Sequence, residues 1–210
     1  MSAARRHLNA TILPTGKVFV SGGTSAAGFN NADGTVWTNE MWDPYNDGRW
    51  TTMAVQHERR LYHSTAVLLK DGRVLSMGGG MPYSPQGADT DHRTAQIYNP
   101  PYHQGQIKPT ITSVSSTNLT PGQTFTLTTP NAASITAVTM VRLSSVTHSL
   151  NMSQRFHQLS FVRGTGQLTV TAPSNDNWVP GPYFLFVIVG GGDPAGLNGI
   201  PSLGKEVYLQ

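Results

Sequence analysis

The 210-residue chain contains no cysteine, which excludes disulfides, thiolate-bound metal and a cysteine nucleophile. Charge is scarce as well. Only 12 % of residues are Asp, Glu, Lys or Arg, and 14 basic against 11 acidic side chains leave a net charge of +3. The basic residues are scattered, so the clustered footprint of a nucleic-acid binder is missing and no nucleic-acid partner is expected. No apolar run is long enough to span a membrane. The best candidate, Tyr183 to Val189, reads as a buried strand, and no membrane partner is expected. The first residues, MSAARRHLNATILPTG, lack the apolar core of a signal peptide. Glycine (22) and proline (14), by contrast, are plentiful. That composition suits short strands joined by many turns, and the length allows one large or two ordinary domains.

An internal repeat organises the first half. Aligning Gly16 with Gly72, 56 positions apart, superposes RRHLNATILPTGKVFVSGG on RRLYHSTAVLLKDGRVLSMGGG. His7 then falls on His63, Trp42 on Tyr98, Pro44 on Pro100 and Gly22-Gly23 on Gly78-Gly79. Each copy predicts an alternating strand (Leu8 to Leu13; Ser64 to Leu69), a tight turn and a second strand (Val18 to Ser21; Val74 to Met77). A loop (Thr24 to Thr38; Met81 to Thr94) then leads to a third strand ending in MWDP or IYNP. Repeats of this kind read as blades of a kelch-type β-propeller. The position before the shared histidine is Arg6 in one copy and Tyr62 in the other. The shared histidine reads as architecture. The tyrosine present in one copy only is a candidate for chemistry.

After Pro100-Pro101 the pattern changes. Strand-like runs follow at Thr110–Ser115, Gln123–Thr129, Ile135–Leu143, Gln158–Val162, Gln167–Ala172, Tyr183–Val189 and Glu206–Leu209, separated by turn signals. Seven short strands in about a hundred residues are expected of an immunoglobulin-like sandwich. The predicted fold is therefore all-β, with two blades over residues 1–104 and a sandwich over 105–210. Two blades cannot close a ring, since propellers have about 4–8. The expectation is that the chain is part of a longer protein, with completion by a partner or an open sheet leaning on the sandwich as alternatives.

Five motifs in order resemble the galactose oxidase and glyoxal oxidase group of copper radical oxidases. They are RRLYHSTAVLLKDGRVLSMGGG, TAQIYNPPY, KPTITSVSS, VTHSLNMSQR and PGPYFLFVIV with GIPSLGKEVYL. The resemblance implies the last two kelch-type blades and the C-terminal sandwich of such an enzyme. It implies that Tyr62 is the axial ligand of Cu(II) and a catalytic base, and that His63 and His148 are equatorial ligands, His148 being carried to the propeller centre on a hairpin of the sandwich. Imidazole nitrogens with oxygen donors suit Cu(II), and a phenol can take a proton from an alcohol. Gln154 and Arg155 follow His148 closely and could orient it.

The resemblance also implies a tyrosine cross-linked to a cysteine, which stores the second oxidising equivalent, and this chain has no cysteine. Oxidising a primary alcohol or aldehyde with O2 to a carbonyl product and H2O2 needs two electrons, so the chain alone is not expected to be a competent oxidase. Upstream blades, from the same gene or a second chain, would be its partners. A small alcohol, aldehyde or carbohydrate would be its substrate, and the location would be extracellular. The alternative reading is a non-catalytic module that binds carbohydrate or protein. His57, His92, His103 and His157 carry weaker cases, and the four tryptophans read as packing, with Trp37 a conceivable sugar platform.

Overall fold

The computed structural model describes residues 1–80, 91–174 and 178–210. It is built from strands and short 3-10 turns, with no α-helix among the described residues. Strands β1 (Arg6–Ile12), β2 (Val18–Thr24), β3 (Thr38–Asp43) and β4 (Arg49–Val55) form one antiparallel sheet in sequence order. Strands β5 (Ser64–Leu68), β6 (Val74–Gly78) and β7 (Ala95–Tyr98) form a second.

The two sheets share one register. Ile12 pairs with Val18 and Leu68 with Val74; Val18 pairs with Trp42 and Val74 with Tyr98. Each pair is the other displaced by the 56-residue repeat. The turns match too: Gly16 N–H donates to Leu13 O and Gly72 N–H to Leu69 O, both at 2.9 Å. Fourth strand β4 was not anticipated, because its largely exposed sequence, RWTTMAV, lacks the apolar alternation that marks a half-buried strand. Most of the expected loop from Met81 to Thr94 lies outside the described residues.

Further along come β8 (Ser113–Val114), β9 (Asn118–Leu119), β10 (Thr124–Thr128), β11 (Ile135–Arg142), β12 (Val146–Thr147) and β13 (Leu150–Asn151). They are followed by β14 (Phe156–Leu159), β15 (Phe161–Gly164), β16 (Gln167–Thr171), β17 (Gly181–Val189), β18 (Ile200–Pro201) and β19 (Lys205–Leu209). One sheet runs β15-β16-β10-β8 and the other β14-β11-β17-β19-β9, with β18 on β17. The run expected from Gln158 to Val162 is broken at Ser160, and its halves join opposite sheets. The small β12–β13 hairpin stands apart from both sheets.

Strand alternation explains how the parts hold together. On β17, Tyr183, Leu185 and Val187 point into the sandwich core with Leu127, Val138, Met140 and Leu168. The intervening Phe186, with Val141 of β11, joins a second core that contains Leu13, Phe19, Met41, Ala66, Leu68 and Val74. The two central strands of the sandwich are buried on both faces because the blade-like sheets cover the outer one. A buried hydrogen bond from Thr139 Oγ1 to Pro14 O (2.8 Å) crosses this junction.

Candidate functional site

Tyr62 is held by its backbone. Gly22 and Gly23 close β2 with positive φ, and a Cβ on Gly22 would lie 2.3 Å from Arg60 O. That closeness lets Gly23 N–H donate to Arg60 O (2.8 Å), pinning the segment that leads to the tyrosine. Arg60 is itself buried and donates to Gly78 O (2.8 Å) and Thr94 Oγ1 (2.9 Å). Leu61 beside it is fully buried. Tyr62 N–H donates to the Asn30 side chain (3.1 Å), and Tyr62 O accepts from Gly80 N–H (2.9 Å).

His63 follows in the left-handed region, with φ 65°, and its repeat counterpart His7 has φ 58°. Such a backbone costs a non-glycine residue about 1–3 kcal/mol and persists where surrounding contacts over-determine it. His63 Nδ1–H donates to Gly80 O (3.2 Å), because a carbonyl can only accept. That bond leaves the lone pair on Nε2, the arrangement a metal-bound imidazole adopts.

His148 arrives from the sandwich on the β12–β13 hairpin. The two-residue turn is His148-Ser149, with φ 53° and 62°. Positive φ at both positions is the type I′ geometry normally given to Asn-Gly, so no turn signal marked this hairpin in the sequence. The hairpin lies along β1. Ser149 Oγ donates to His7 O (3.2 Å) and Asn151 Nδ2 to Ala10 O (3.4 Å). Gln154 accepts from Ile12 N–H (2.8 Å) through Oε1 and donates to Ile12 O (3.1 Å) through Nε2, copying a strand's own pairing. His148 Nδ1 is hydrogen-bonded to Thr147 Oγ1 at 2.7 Å. The Thr147 hydroxyl can accept from Nδ1–H, and in that tautomer Nε2 carries the lone pair.

The three side chains meet. Ring centroids are 4.0 Å apart for Tyr62 and His63, 4.9 Å for His63 and His148, and 5.4 Å for Tyr62 and His148. Residues 85 positions apart in sequence therefore face each other, with His63 and His148 both exposed. Among the described residues no three His, Cys, Asp or Glu side chains gather where they could share a metal ion, so a metal here needs the Tyr62 phenol. Two free imidazole nitrogens and one phenol oxygen form the N,O donor set that suits Cu(II).

Two neighbours went unnoticed in the sequence. Phe29 meets Tyr62 at 4.7 Å and His7 at 5.2 Å, both edge-on, while remaining 47 % exposed. It sits in a loop without periodicity, so nothing local distinguished it. His7 lies 5.4 Å from Tyr62, and its pKa is pushed down by burial and then by the Arg6 charge. The architectural histidine thus packs against the cluster as a neutral ring.

Gln154 acts on the arm, bonding Asn151 Nδ2 (2.8 Å) and the Ile12 backbone, and Arg155 donates to Gln154 O (2.9 Å). The contacts found for both residues lie on the arm and its anchor rather than on the His148 ring. His92 pairs with Glu58 (2.7 Å), His103 is hydrogen-bonded to Asp71 O (2.7 Å), and His157 is half-buried beside Tyr183. None of them joins the cluster. Trp37 and Trp50 are 44 % and 36 % exposed rather than packed away.

Residues 108–209 match the family "Galactose oxidase-like, Early set domain". The whole chain superposes on 43 % of a solved structure, a "novel fungal alcohol oxidase with catalytic diversity among the AA5 family, in complex with copper", with TM-score 0.87 and 28 % identity. Over 91 % of its length it is 32 % identical to a galactose oxidase of Gibberella zeae. The chain belongs to the galactose oxidase and glyoxal oxidase family. A 26 % identity over the full chain to the aldehyde oxidase GLOX1 of Arabidopsis thaliana adds a plant member. This family member spans 28 % of the Gibberella protein's length and 36 % of the Arabidopsis one.

Proposed function

We propose that Tyr62, His63 and His148 are copper ligands, and that the chain is the C-terminal part of a copper radical oxidase acting on a small primary alcohol, aldehyde or carbohydrate. The convergence of the three rings within 4.0–5.4 Å, each imidazole held through Nδ1, carries this reading. Relatives named as galactose, aldehyde and alcohol oxidases, one in complex with copper, support it.

Bound copper would supply Lewis acidity and one electron of redox capacity. The chain's own residues do the rest. His63 and His148 would offer Nε2 as ligands, and the hydrogen bonds around each segment hold both in a strained backbone conformation. Tyr62 Oη would accept the proton of the substrate hydroxyl, and Phe29 forms an apolar wall beside it. The second oxidising equivalent has no source among these residues, which include no cysteine. In this reading it comes from further blades, in the same polypeptide or a second one. Residues 1–104 would then be two kelch-type blades and 105–210 the sandwich that delivers His148. An extracellular setting goes with this reading. No helix among the described residues is long and apolar enough to cross a membrane.

Cu(II) titration followed by electron paramagnetic resonance tests the site without relying on activity. One equivalent should bind with a tetragonal signal carrying nitrogen couplings. His148→Ala should weaken binding by at least about tenfold while the melting curve stays cooperative, and Tyr62→Phe should alter the signal. Unchanged copper affinity in a folded His148→Ala variant would overturn the assignment.

A further inference from the structure

Between the two blade-like sheets lies a cleft of about 240 Å³ that takes no part in the Tyr62 cluster. Strands β2, β3 and β4 line one side, and β6 and β7 the other. Five of its residues carry buried polar atoms without a hydrogen-bond partner: Ser21 Oγ, Asn39 Oδ1, Gln56 Nε2, Ser76 Oγ and Gln96 Oε1. Ser21, Asn39, Gln56 and Ser76 are only 2 %, 6 %, 8 % and 9 % exposed. A buried polar atom left unpaired is costly, and native structures keep such atoms few and scattered, whereas five surround this one cleft.

Two of the three amides, Asn39 and Gln56, are held in place from behind. Asn39 Nδ2 donates to Ala54 O (2.8 Å), and Gln56 Oε1 accepts from Gly22 N–H (3.1 Å). One end of each is spent on backbone, and the opposite end is left over. The unpaired set therefore contains two carbonyl acceptors, one amide donor and two hydroxyls that do either. Among the described residues no Asp, Glu, Lys or Arg lines the cleft and His57 is its one basic side chain, so no permanently charged group faces a ligand there. Apolar surface completes the wall: Phe19 stacks on Tyr98 at 4.0 Å, and Val55 and Ile97 are exposed at the rim. Burial pushes the Tyr98 phenol up to about 12, so it is a neutral ring at ordinary pH.

We propose that this cleft binds one neutral, polyhydroxylated small molecule of the monosaccharide or polyol class. Mixed donors and acceptors without charge, beside aromatic and aliphatic surface, are what such a molecule's hydroxyls and C–H faces require. The volume corresponds to about eight waters at ~30 Å³ each, room for a single monosaccharide-sized ligand. The site is separate from Tyr62, His63 and His148 and does not depend on copper.

Nuclear magnetic resonance of the 210-residue chain provides the test, with D-galactose, D-glucose and D-mannitol as neutral probes and D-galacturonate as a charged one. Side-chain amide signals of Asn39, Gln56 and Gln96 should shift saturably with at least one neutral probe, and less with galacturonate. Asn39→Leu should weaken that binding by at least about tenfold. Ser76→Ala, a smaller change that guards against misfolding, should weaken it a few-fold with an unchanged melting temperature. His148→Ala should leave it intact. Amide shifts that stay linear and equal for every probe would mean that the cleft holds only water, and would overturn the proposal. So would saturable binding abolished by His148→Ala but untouched by Asn39→Leu.

Discussion

The two blade-like sheets and the sandwich are stabilised in different ways. The sandwich core, from Leu119 to Leu209, draws on no residue before Ile111, partly buried neighbours included. The blade core cannot be described without Val141, Phe156, Phe184 and Phe186, all from the sandwich. One region carries its own hydrophobic interior, and the other borrows part of its interior from its neighbour. For the site this means that the scaffold of Tyr62 and His63 and the arm of His148 are parts of one packed junction, so the cluster is preorganised by the same contacts that stabilise the sheets.

That asymmetry can be broken most severely by cutting the chain. Residues 105–210 expressed alone should give a cooperative melt, whereas residues 1–104 alone should show no cooperative transition by calorimetry. A cooperative melt of residues 1–104 alone would show that the borrowed core is dispensable. Point changes sharpen the same contrast. Leu127→Ala, inside the sandwich, should cost about 2–5 kcal/mol in both the full chain and the isolated sandwich. Phe186→Ala should cost about 3–5 kcal/mol in the full chain and far less in the isolated sandwich, where its face is open to water. Denaturant unfolding of the four proteins decides it.

A smaller effect is expected at the crossing hydrogen bond. Thr139→Val leaves Pro14 O without its buried donor and should cost about 1–3 kcal/mol, again only in the full chain. The smallest effect is titration within the sandwich. Burial holds the His157 pKa below the ordinary 6.5. The unfolded chain therefore takes up a proton near pH 6.5 that the folded ring refuses. The associated stability is present above that pH and is lost as pH falls through the lower folded value. His157→Gln should flatten the acid limb of the stability curve in the full chain and in the isolated sandwich alike. A limb unchanged by the substitution would assign it to other groups.

Much of this architecture was readable from spacing. The 56-residue offset anticipated strand pairs that recur at the same interval, and Tyr62 stood out because Arg6 occupies its place in the other copy. The motif around His148 pointed to a ligand, yet its own residues did not announce a hairpin, because His-Ser replaces the glycine-bearing pair that a type I′ turn normally takes. Phe29 was illegible, being one aromatic in a loop with no period. Strand β4 was missed because both its faces are largely solvated, which removes the apolar alternation that a strand reading depends on.

The sequence by itself determined the local facts: which residues can pair at a period of two, where glycine permits a left-handed turn, and which blade carries a tyrosine before its histidine. Only the tertiary structure decided that a hairpin from the sandwich lies along β1 and sets His148 opposite Tyr62 and His63. That decision rests on contacts between segments some 140 residues apart, such as Gln154 with the Ile12 backbone. Contacts of that kind arise from the docking of two separately patterned surfaces, and no local pattern encodes them.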